Sequence, residues 1–172
     1  PLAMTLIAPR KPAGAPAAAA APQSLAHALS EAFGHRSYVL LVLGFFTCGF
    51  QLAFITVHLP PYLNEHGIGV EEAGFAIAAI GLFNVAGSYV SGMIGGKFQK
   101  RLPLSLIYIL RSVAVAAFIS FPITPLTTLL FTSVIGFLWL STVPLTMGLV
   151  TVMFGTRYMA TLYGFVFLSH QI

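Results

Sequence analysis

At 172 residues, 58% hydrophobic and only 7% charged, the chain cannot give a soluble globular protein its usual surface, where roughly a quarter of residues are charged. Its mean hydropathy of +0.92 points to lipid as solvent, and its acids are Glu31, Glu65, Glu71 and Glu72 with no Asp, which excludes chemistry by paired aspartates within this chain. The net charge of +4 would suggest nucleic acid in a soluble protein, but here the basic residues flank apolar spans, so they read as orientation signals and no nucleic-acid partner is expected.

The first residues, Pro1 to Arg10, have neither a basic leader nor a small-residue cleavage site, so no signal peptide is expected. The missing initiator Met and an end at Ile172 inside an apolar run read as a fragment, with Pro1 to Ala8 as the tail of a preceding span. Residues 9–23 are dominated by Pro and Ala with a basic start, a composition that predicts a flexible linker, and the whole of 1–23 is assigned to it. Residues 24–36 place Leu25, Ala28, Leu29, Ala32 and Phe33 at helical spacing behind a Ser24 cap, as a short amphipathic helix on the membrane surface would.

The transmembrane region, 37–172, holds apolar stretches near 37–59, 73–95, 102–121, 126–150 and 156–172, the last cut short. The first four are long enough for the ~20 residues that cross about 30 Å of hydrocarbon. Pro60 and Pro61 are expected to stop the first span, Pro103 fits the first turn of the third, and Pro144 should loosen the fourth. Arg10, Lys11 and Arg36 precede the first span, the next loop holds only Glu65, Glu71 and Glu72, and the following one holds Lys97, Lys100 and Arg101. The loop after that is uncharged and the last carries Arg157. Basic residues on alternate loops assign the linker and loops 96–102 and 151–157 to the cytoplasm. The fold class is therefore all-α, a polytopic transmembrane helical bundle in the lipid bilayer.

Arg111 is the sole charge deep inside a predicted span, about nine residues and roughly 13–14 Å from the cytoplasmic end. A guanidinium at that depth requires a partner or a water-filled cavity. It either recognises an anionic substrate through paired hydrogen bonds or packs structurally against helix carbonyls. On the first span Gly44, Thr47, Gln51, Phe54 and His58 share one face. Gln51 is a mid-span site candidate, and His58 near the outer end either titrates in proton coupling or anchors at the interface. On the second span Gly81, Asn84, Ser88, Ser91, Gly92 and Gly95 form a small and polar face, read as helix packing with Asn84 as a further substrate candidate. Trp139, Thr142 and Thr146 share a side of the fourth span, fitting a binding site or packing. Ser169, His170 and Gln171 close the chain as a polar cluster.

No catalytic constellation, metal site or cofactor is expected. Cys48 stands alone, Glu71-Glu72 opens a protease-like EExxxR pattern that fails at Ala76, and Ser88 lacks a nucleophile context. A non-transporting receptor or scaffold stays open.

The stretches GFFTCGFQLAFITVHLPPYL (44–63), GLFNVAGS (81–88), YILRS (108–112), GFLWLSTVPLTMGLV (136–150) and YGFVFLSHQI (163–172) resemble the C-terminal half of a major facilitator superfamily transporter. They are most similar to the branch of monocarboxylate carriers and the oxalate:formate antiporter. The resemblance implies helices 7 to 10 and part of 11, with a missing N-terminal six-helix half as partner. It implies a secondary active transporter moving a small organic solute, with organic anions as one class, coupled to a proton or counter-solute. The family's loop motif, G-x-L-(A/G)-D-(R/K)-x-G-R-(R/K), aligns with GMIGGKFQKR (92–101). Gly92, Gly95, Lys97, Lys100 and Arg101 fit, whereas Gly96 replaces the acid and Gln99 the second glycine. Carriers of this kind often use a cation on helix 8, which is absent from 73–95. Arg111 falls on the usually peripheral helix 9, so the resemblance favours Gln51, His58 and Trp139 as cavity-lining residues.

Overall fold

The computed structural model describes residues 24–172; the Pro/Ala linker expected over residues 1–23 lies outside them. The described residues form seven α-helices and no strand: α1 (Leu25–Gly34), α2 (Arg36–Glu65), α3 (Val70–Lys97), α4 (Arg101–Ser120), α5 (Pro125–Trp139), α6 (Thr142–Phe154) and α7 (Met159–Gln171). Ser24 caps α1 by accepting the His27 backbone N–H, and the apolar Ala28 and Ala32 turn inward from it. Four segments are long and apolar enough to cross a membrane: α2, α3, α4 and the paired α5–α6 unit Pro125–Phe154. Their outward residues, among them Leu40, Phe50, Leu82, Val85 and Ile119, are large, apolar and exposed, as lipid-facing surface must be.

The helix ends differ from the expected limits in two instructive places. Pro60 and Pro61 do not stop α2, which runs on to Glu65. Each proline removes one backbone bond, but Leu59 and Leu63 on either side are locked into a packed core with Phe118 and Phe131, and that burial holds the last turn. The fourth span, by contrast, is divided at Leu140–Ser141. Pro144 lacks the N–H that would bond the Leu140 carbonyl, and its ring crowds that same group. The Leu140 carbonyl instead accepts from Val143 at 3.0 Å, tightening the turn.

α3 begins at Val70, so Glu71 and Glu72 lie in its first turn and Lys97 in its last. Both placements match charge to the helix dipole. Its closest partner is α5. A side chain at Gly87 would collide with the Phe137 carbonyl, and one at Gly136 would lie 2.6 Å from the Ile80 carbonyl. Two glycines thus let the backbones touch. Of the expected small face, Asn84, Ser91 and Gly95 take part in packing, while Gly81 and Gly92 face open space. The α5–α6 unit is central, being half buried, against 11% for the most apolar stretch of α3. At the opposite end of the bundle from the Phe118–Phe131 stack, Tyr38, Phe45, Val150, Leu162 and Val166 form a second core joining α2, α6 and α7.

Candidate solute-binding site

Arg111 is carried inward by α4 on the face that also presents Leu104, Ile107 and Phe118, so the helical period alone buries it, to 1% exposure. Its Nη1 donates to Cys48 Sγ of α2 at 2.8 Å. Cys48 Sγ in turn lies 3.8 Å from Thr142 Oγ1, at the start of α6. Arg111 Nε and Nη2 have no hydrogen-bond partner among the described residues. The guanidinium also interacts electrostatically with Tyr108, one turn back on α4, and with His170 of α7. Tyr108 donates its hydroxyl to the Gly44 carbonyl at 2.9 Å.

His170 reaches this cluster because Gly49 has no side chain: its α-carbon sits against the His170 carbonyl, which a Cβ would strike. The imidazole lies 5.0 Å from the Phe45 ring, and neither of its nitrogens has a partner among the described residues. Thr146, one turn beyond Thr142 and fully buried, likewise has an unpartnered hydroxyl. Four helices therefore converge on a positive charge with open donors and no carboxylate beside it.

The other sequence candidates are placed elsewhere. Thr47, Phe54 and His58 are exposed on α2 and Gln51 is half-buried there, so this stripe is the face of α2 that the described bundle leaves uncovered. His58 stacks on Phe54 with 4.7 Å between centroids, at the rim of an apolar cavity of about 230 Å³ floored by Phe118 and Phe131. Trp139 is buried in the adjoining core beside Ile55 and Ile80. Asn84 spends its side-chain oxygen on the Leu140 backbone N–H at 3.0 Å, and Ser91 donates to the Ser141 carbonyl, so both tend the broken helix.

In the loop motif, a Cβ at Gly95 would lie 3.0 Å from the Leu145 side chain, Lys97 is exposed at the end of α3, and Arg101 is exposed at the start of α4. The Lys100 methylenes lie over Gly148 of α6. Among the described residues no three His, Cys, Asp or Glu side chains gather as metal ligands.

Sequence reasoning brought Arg111 and Thr142 forward but missed Cys48 and Tyr108 as their neighbours. Tyr108 was findable, since a residue three before Arg111 shares its face. Cys48 was not, because it sits one residue off the polar stripe and only tertiary packing shows which face turns inward.

The chain matches the family profile of the Major Facilitator Superfamily over residues 2–172. No curated protein and no solved structure matches it. With four apolar spans and a family match across nearly its whole length, the chain belongs to the major facilitator superfamily of membrane transporters.

Proposed function

We propose that the chain is the second half of a secondary active transporter of the monocarboxylate carrier and oxalate:formate antiporter branch. It moves a small organic anion across the cell membrane by alternating access, coupled to a proton or a counter-solute. The linker and the loops at 96–102 and 151–157 lie in the cytoplasm on the charge alternation, and an N-terminal six-helix bundle completes the cavity.

The observation that carries this reading is the uncovered polar stripe of α2, where Thr47, Gln51 and His58 interrupt an otherwise apolar helix surface. Amide and imidazole groups facing lipid are costly, so such a stripe supports an aqueous cavity against a second bundle. Arg111 and its open donors support an anion as the solute class. The test is flux of radiolabelled oxalate, formate and lactate into proteoliposomes containing the full-length protein. Saturable exchange that Gln51→Ala weakens is expected. Flux indifferent to Gln51→Ala and His58→Gln would remove the stripe as the site, and binding without flux would make the protein a receptor.

A further inference from the structure

A cleft of about 430 Å³ opens between α2, α4 and α6. Arg101, Ser105 and Ser37 stand at its outer end, leucines of the three helices line its walls, and Tyr108 and Gly44 close its inner end. On α4, Arg101, Ser105, Tyr108 and Arg111 follow one another at steps of four, three and three, so they climb one side of the helix over about 15 Å. We propose that this cleft is the access path of a small monovalent anion, a carboxylate or a halide, to Arg111, with the Tyr108 hydroxyl as its inner gate. This rests on the reading of the solute as an anion, and adds to it a route that the central cavity does not provide.

Three observations carry it. First, Arg111 is almost wholly buried, so a solute on the exposed stripe of α2 meets it only by moving further inward, and two of its nitrogens lack partners among the described residues. Its one hydrogen-bond partner among the described residues is the Cys48 thiol, and none of the four Glu residues lies in its helix. A bare guanidinium in hydrocarbon calls for a counter-anion. Second, the approach has the right sign and chemistry: an exposed cation at the mouth concentrates anions, and the Ser105 hydroxyl behind it, which donates to the Arg101 carbonyl at 2.9 Å, can turn to an anion in place of lost hydration. Third, the barrier is slight. Tyr108 is held across the inner end by its hydrogen bond to Gly44, and an anion arriving there offers the hydroxyl a stronger acceptor. Moving the hydroxyl to the anion releases the Gly44 carbonyl and opens the last turn to Arg111.

Cys48 reports on this route, since its sulfur touches Arg111. The full-length protein in proteoliposomes is treated with anionic sulfonatoethyl and cationic trimethylammonioethyl methanethiosulfonates, and modification is read from the mass of the Cys48 peptide. Normalised to its rate with a small free thiol, the anionic reagent should react about tenfold faster than the cationic one, as a cleft of one charge sign focuses opposite ions. Excess sodium formate should slow it, Tyr108→Phe should speed it, and Arg101→Gln should narrow the charge preference. Equal normalised rates, a cationic preference or indifference to formate in the unmodified protein would overturn the proposal. Protection by anionic phospholipid without protection by formate would also overturn it, giving the cleft to a lipid headgroup. Oxalate or formate flux that persists through such a failure would leave the transporter reading standing.

Discussion

The side-chain oxygen of Asn84 on α3 accepts the backbone N–H of Leu140 at 3.0 Å, at the residue where the fourth span divides into α5 and α6. Pro144 has left the Leu140 carbonyl without its usual donor four residues on, and Asn84 serves the N–H side of the same peptide region. The two residues, 60 positions apart, are thus two parts of one device, a broken helix and its splint.

Asn84→Ala should lower stability by about 1 kcal/mol, within the range measured for interhelical hydrogen bonds in membranes. Pro144→Ala restores a donor for the Leu140 carbonyl and allows a continuous helix, in which the Leu140 N–H bonds Gly136 instead. In that background Asn84→Ala should cost clearly less. Unfolding in mixed micelles across the four proteins gives the coupling, and strictly additive effects would refute the link.

Gly87→Ala and Gly136→Ala should be the most damaging glycine changes in α3 and α5. Each puts a methyl group against a carbonyl of the other helix, Phe137 for the first and Ile80 for the second, and backbone cannot yield as a side chain can. A loss of about 1–3 kcal/mol is expected from such overpacking. Gly81→Ala and Gly92→Ala meet open space and should be neutral, or stabilising by up to about 1 kcal/mol through helix propensity. Thermal aggregation of the detergent-solubilised variants would separate the two pairs.

These glycines mark where the sequence was legible and where it was not. Apolar length and alternating loop charge identify α2, α3, α4 and the α5–α6 unit, because both signals are local. Gly87 carries no local signal of its own: among the many small residues of α3 only the position of Phe137 makes it indispensable. Proline was equally ambiguous. Pro60 and Pro61 lie inside a helix held by buried Leu59 and Leu63, while Pro144 accompanies a real break where Asn84 supplies a substitute partner. The depth of Arg111 was readable from residue count, but its contact with Cys48 depends on which face of α2 turns inward.

Thr124→Ala should cost about 1 kcal/mol, as loss of an N-cap commonly does. Thr124 accepts the Thr127 backbone N–H at 3.2 Å while Thr127 returns its hydroxyl oxygen to the Thr124 N–H at 2.9 Å, ahead of Pro125 in the first turn of α5. This reciprocal box fixes the tight turn between α4 and α5. Thr124→Ser keeps the oxygen and should retain most of the stability, a contrast readable in the same micelle unfolding assay.

Arg111 offers the sharpest separation of structure from transport. If its task were to pin α2 to α4 through Cys48, Arg111→Leu would weaken the bundle. The contacts argue otherwise: one bond to a thiol, and two nitrogens with no partner among the described residues, leave a buried charge poorly compensated. Replacing such a charge with an apolar side chain of similar bulk is typically neutral or stabilising by about 1–4 kcal/mol. Arg111→Leu should therefore keep or raise the melting temperature in detergent while abolishing organic-anion flux. Arg111→Lys keeps the charge but not the planar pair of donors, so it should retain weak flux with a raised KM. A destabilised Arg111→Leu protein with intact flux would make the residue a structural pin and remove it from solute recognition.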